Sequence, residues 1–164
     1  MDKRLMTAQE YNDNLAVLKT LFVDLDITDL SPDTINSKIC EVANNFNKAG
    51  RYAIDSINNL HLARTMVDAN KLNKELTMSS AMTSPTVLDD VKLKSADMRA
   101  AAATTIAAGS SRDLRAASEE KLMAEAYHLS VMYVHGNLER SIDVLREKIK
   151  LFQSMLYLDP SGHR

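Results

Sequence analysis

The sequence predicts an all-α fold: an elongated helical hairpin or bundle with coiled-coil-like seams. Apolar residues recur at helical spacing along two long stretches of the chain. Glycine occurs only 4 times and proline 3 times, too few to turn the successive hairpins of an all-β protein. Methionine occurs 9 times, tryptophan is absent and aromatics make up 5%, so the core is expected to be aliphatic and thioether-rich.

The first helix is expected over 7 to 25. Thr7 and Glu10 form a capping-box pattern ahead of Tyr11, Leu15, Leu18 and Phe22, which recur on one face. A polar connection follows, and Ser31-Pro32 supplies an N-cap with proline at the first helical position. The second helix is therefore expected over 32 to 76. It carries two series spaced by seven: Ile39, Phe46, Ala53, Leu60 and Val67, and Ile35, Val42, Ala49, Ser56, Ala63 and Asn70. Together they form an a/d seam that passes Gly50 in register, an interior glycine that costs about 1 kcal/mol relative to alanine.

Residues 77 to 85, "TMSSAMTSP", lack periodicity and are expected to form a flexible internal connection. A third helix is expected over 86 to 108, starting around Ser84 to Thr86 and running into the alanine run, stopped by Gly109, with a slender face suited to close packing. Ser110 and Asp113 then suggest a capping box opening a fourth helix over 111 to 157. Its apolar residues are Tyr127, Val131, Val134, Leu138, Ile142, Leu145, Ile149, Phe152 and Leu156, a heptad seam preceded by one eleven-residue step around Gly136.

Length and composition bound the remaining possibilities. A chain of 164 residues suits one helical domain spanning 1–164, and 45% hydrophobic with 26% charged residues is a globular balance. The lone Cys40 cannot close an intramolecular disulfide and no signal-peptide pattern opens the chain, so a cytoplasmic location is expected. The uncharged run from Ala100 to Ser111 is too short to cross a bilayer, and no membrane association is expected.

Signatures of chemistry are sparse. His128 and His135 share a helical face but stand about 10.5 Å apart along the axis, too far for one metal ion to bind both rings. Asp24, Asp26 and Asp29 resemble the start of a calcium loop, yet glycine is missing at its sixth position and Ile35 stands where a bidentate glutamate is needed. No phosphate-binding glycine loop or nucleophile elbow is present, so no catalytic, cofactor or metal residues are assigned and an enzyme is not expected.

Nucleic acid is a weaker alternative. Lys92, Lys94, Arg99, Arg112 and Arg115 flank the alanine run and could contact phosphate, but acidic residues intervene and no aromatic lies between residues 53 and 126 to stack on bases. A net charge of -2 gives no general attraction to a polyanion.

The reading that follows is a non-enzymatic helical assembly protein: an oligomeric scaffold, adaptor or structural subunit whose partners are copies of itself or another helical protein. Leu138, Ile142, Leu145, Ile149, Phe152 and Leu156 are the expected self-association residues, because seams of this length must be buried against something. The alternative is an accessory factor of nucleic-acid metabolism, such as a recombination mediator or small packaging subunit, in which oligomerisation compensates for weak charge per subunit.

Overall fold

The computed structural model describes residues 4–25, 31–90 and 92–158, with side chains through Met155, and these residues form five α-helices with no strand among them. They are α1 (Ala8–Lys19), α2 (Pro32–Met82), α3 (Pro85–Leu88), α4 (Ala96–Ile106) and α5 (Ala108–Leu158). Packing divides the chain into two compact units. The first assembles from the described residues of Met6–Ile57 and Tyr127–Arg164, the second from those of Met1–Leu5 and Asn58–Ala126.

The first unit is a three-helix bundle. Its capping box forms as the sequence predicts: the Glu10 amide donates to Thr7 Oγ1 at 3.2 Å, and the Thr7 amide donates to Glu10 Oε2 at 2.7 Å. Helix α1 nevertheless ends at Lys19, six residues before the expected Leu25. Side chains of the neighbouring helices take up carbonyls of the trailing segment: Asn45 Nδ2 donates to Leu21 O at 3.0 Å and Lys148 Nζ to Leu25 O at 2.9 Å. These cross-helix bonds have no counterpart in local sequence, which explains the shorter helix.

Helix α2 starts as expected, with Ser31 Oγ accepting from the Thr34 amide at 3.3 Å. In this unit Phe46 lies against His135 and Ser56 against His128, so position rises along α2 as it falls along α5 and the two run antiparallel. Tyr11 meets Tyr127 and Phe22 meets Tyr133, so the N-terminal segment runs in the direction of α5. The heptad reading finds the core: Ile35, Val42, Ala49 and Ser56 are buried on α2, and Tyr127, Val131, Val134, Leu138 and Leu145 on α5.

The second unit is built from smaller side chains. Leu60, Ala63 and Val67 of α2 are buried, together with Val87 of α3, Ala103 of α4, and Ala117 and Ala124 of α5. Helix α2 continues through residues 77 to 82 instead of stopping at 76. Its hydroxyls bond back along the helix, Thr77 Oγ1 to Asn73 O at 2.7 Å and Thr83 Oγ1 to Ser79 O at 3.1 Å, so a Ser/Thr-rich composition is accommodated without leaving the helix.

The expected third helix is divided. After the single turn α3, Asp90 Oδ1 accepts from the Lys92 amide at 2.8 Å, and Ser95 Oγ accepts from the Met98 amide at 3.2 Å to start α4. The expected stop at Gly109 falls earlier. Ala107 caps α4 and is fully buried, while Gly109 lies inside the first turn of α5. Ser110 Oγ donates to Thr77 Oγ1 across the helix pair at 3.2 Å, a tertiary bond in place of the expected local cap.

Candidate functional site

The feature with the most evident binding chemistry is an apolar groove in the first unit, between the N-terminal segment and α5. Leu15, Leu18 and Phe22 form one wall and Leu129, Tyr133 and Val134 the other, with Lys19 and Ser130 at polar positions, around a volume of about 460 Å³. The two walls serve two purposes. Leu18 and Val134 are buried and hold the bundle together, whereas Phe22, Leu129 and Tyr133 remain 46%, 69% and 66% exposed. The Phe22 and Tyr133 rings meet at 6.5 Å, tilted by 59°, and form an open aromatic corner.

On α5 the outward positions Leu129, Met132, Tyr133 and Gly136 are separated by three, four and seven residues from the first, so they share one helical face. Gly136 adds no side chain there, and a Cβ placed on it would meet nothing within 4 Å. This face is distinct from the buried seam at Val131, Val134 and Leu138. In the sequence this second stripe is masked by the stronger period of the buried seam beside it.

The residues expected to mediate self-association mostly face inward. Leu138 and Leu145 are buried at 1% and 0% exposure, while Ile142, Ile149 and Phe152 are half-buried. The side chain of Leu156 lies outside the described residues. A seam covered in this way is open to a second chain only where the helices that cover it part.

The basic residues lie in the second unit. Lys92 and Lys94 are exposed on the segment between α3 and α4, and Arg99 fastens that segment by donating from Nε to Leu93 O at 3.2 Å. Arg112 and Arg115 occupy the start of α5, where Arg115 pairs with Glu119 at 3.1 Å. Arg99 and Arg115 thus already have acceptors, and the exposed Lys92, Lys94 and Arg112 carry the more available charge.

His128 and His135 serve packing. Ser56 Oγ is 3.0 Å from His128 Nδ1, and the His135 ring lies on Phe46 at 4.2 Å. Ser56 is fully buried, so its hydroxyl is closed to a substrate. Cys40 is exposed. Of the aspartates resembling a calcium loop, Asp26 and Asp29 lie outside the described residues. No group of three His, Cys, Asp or Glu suited to a metal ion occurs among the described residues, and no helix there is long and apolar enough to cross a membrane.

One buried polar group stands out. Tyr127 is 2% exposed at the meeting of the three helices, and its hydroxyl lies beside the Asn14 side chain without a hydrogen bond of good geometry to any described residue. Burial pushes its phenol up to about 12, against an ordinary value of 10.0; neighbouring Asn14 acts in the opposite direction, and Tyr52 and Asp55 add to the rise. Comparison of the chain with protein-family models, curated proteins and solved structures finds no match.

Proposed function

We propose that this chain is a non-enzymatic assembly protein, an oligomeric scaffold, adaptor or structural subunit that works through helix-to-helix contacts. The observation that supports this reading is the apolar groove of the first unit, with Phe22, Leu129 and Tyr133 exposed along it. Its shape and spacing suit an amphipathic helix whose anchors recur every three or four residues. Large exposed apolar side chains grouped along a groove gain more from a partner than the same residues scattered singly.

Sedimentation equilibrium of the wild type and of a Leu129→Glu/Tyr133→Glu double variant tests the reading. Both positions are exposed, so the variant keeps its helical circular dichroism. The expected result is a mass that rises with concentration in the wild type and stays at the monomer value in the variant. A wild type that remains monomeric at high concentration removes self-assembly and leaves a monomeric adaptor. Salt-sensitive binding to single-stranded or duplex nucleic acid, lost on replacing Lys92, Lys94 and Arg99 by alanine, would replace this reading with the accessory-factor alternative.

A further inference from the structure

The outward face of α5 has an internal symmetry. Counted from a point between Gly136 and Asn137, Tyr133 and Arg140 stand at equal distances on either side, and so do Leu129 and Val144 further out. At 1.5 Å per residue these pairs lie about 5 Å and about 11 Å from that point. Spacings of four, three, four and four from Leu129 through Tyr133, Gly136 and Arg140 to Val144 keep all five positions on one side of the helix.

Each member of the series is open to a partner. Leu129, Tyr133 and Val144 are 69%, 66% and 43% exposed, while Leu138 and Leu145 of the inward face are buried. Arg140 is exposed and makes no ion pair or side-chain hydrogen bond among the described residues. At Gly136 the backbone has no positive φ and an added Cβ would meet nothing within 4 Å, so nothing within the chain excludes a side chain there. Its bare backbone is the shallowest point of the face and stands at the centre of the series. Glu147, next along the same side, is already paired with Lys150 at 2.6 Å.

Two such helices laid parallel would set Arg140 against its own copy, like charges in the middle of an apolar face. Turning one helix round removes the conflict. Leu129 then faces Val144, the Tyr133 ring receives the Arg140 guanidinium, and the two Gly136 backbones cross between them. From this complementarity we infer that a second copy of the chain occupies the face, its α5 antiparallel to the first across a two-fold axis beside Gly136. The same patch serves both chains, so the contact closes on itself and makes a dimer, not a filament. The pairing rests on the groove reading, whose residues Leu129 and Tyr133 it shares, and adds the partner's identity and direction.

Sedimentation equilibrium and cysteine crosslinking of the full chain test the pairing. Arg140→Gln removes the cation from the partner's Tyr133 ring, and dimerisation should weaken about threefold or more. In a parallel dimer the same change relieves repulsion and tightens association. For crosslinking, the exposed Cys40 is first replaced by serine. Leu129→Cys chains mixed with Val144→Cys chains should then form the mixed disulfide on air oxidation in preference to either homodisulfide, because a disulfide needs Cα atoms within about 7 Å. All the substituted positions are exposed, so the variants should keep the helical circular dichroism of the wild type. An Arg140→Gln dimer of unchanged or greater strength, or homodisulfides in place of the mixed one, would overturn the antiparallel pairing and leave the groove reading standing. A wild type that stays monomeric at high concentration would remove the pairing together with self-assembly.

Discussion

Ser56 and His128 join α2 to α5 through a polar contact, Oγ to Nδ1 at 3.0 Å, in a stretch of seam that also buries Ala49, Tyr127 and Val131. Ser56 Oγ also lies 2.8 Å from Ala53 O, three residues back on its own helix. A hydroxyl has one proton, and a carbonyl oxygen can only accept. The serine therefore donates to Ala53 and accepts from His128 Nδ1–H. Nitrogen-15 spectra of the imidazole at neutral pH should find the Nδ1-protonated tautomer, and Ser56→Ala should cost about 1 kcal/mol in urea unfolding while shifting the balance toward the other tautomer.

Alkaline pH should act on the first unit through Tyr127. Its phenol titrates at about 12 in the folded chain against 10.0 when unfolded, so between these values the native state holds a proton that the unfolded state has lost. The associated stability is complete below pH 10 and is lost as pH rises toward 12, an effect of about 2 kcal/mol. Urea melts at pH 9, 10 and 11 should show this decline. Melts of Tyr127→Phe should show a shallower one.

Substitutions on the two faces of α5 should separate sharply. Leu145 has 0% exposure, and Leu145→Glu places a carboxylate in the core; a loss of about 3 kcal/mol or more, with falling helical signal, is expected. Leu129 is 69% exposed, and Leu129→Glu should leave the urea midpoint within about 0.5 kcal/mol of wild type. Thermal and urea unfolding followed by circular dichroism compares them directly. A Leu145→Glu variant that kept its full helical signal while losing only higher oligomers would mean that this seam joins separate chains.

Brief trypsin treatment should cut first after Lys92 or Lys94. Both are exposed in the non-helical segment between α3 and α4, and a protease needs an extended stretch of backbone. The sequence alone points instead to Ser80–Thr83, but residues 80 to 82 belong to α2. Subtilisin, which is indifferent to charge, decides between the two: a first cut at 80–83 would mean that the end of α2 opens more readily than the segment after α3.

Sequence by itself determined the helical class, the start of α1 at Thr7 and of α2 at Ser31, and which faces of α2 and α5 turn inward. Each of these follows from contacts within a few residues or from a period that repeats along one helix, so local chemistry is enough. Ile35, Val42 and Ala49 were legible as core for that reason. The outer stripe at Leu129, Met132 and Tyr133 was legible too, but a weaker second period beside a dominant seam acquires meaning only when the groove formed with Leu15 and Phe22 is seen. Other features were decided by residues far apart in the chain. Asn45 and Lys148 take up the carbonyls where α1 stops, Thr77 rather than a local amide receives the Ser110 hydroxyl, and Tyr127 loses water because Tyr11 and Asn14 close over it. Only tertiary structure decides such features, because the desolvation of a polar group and the choice of its partner depend on which helices meet, and the propensity of a single segment contains no information about its neighbours.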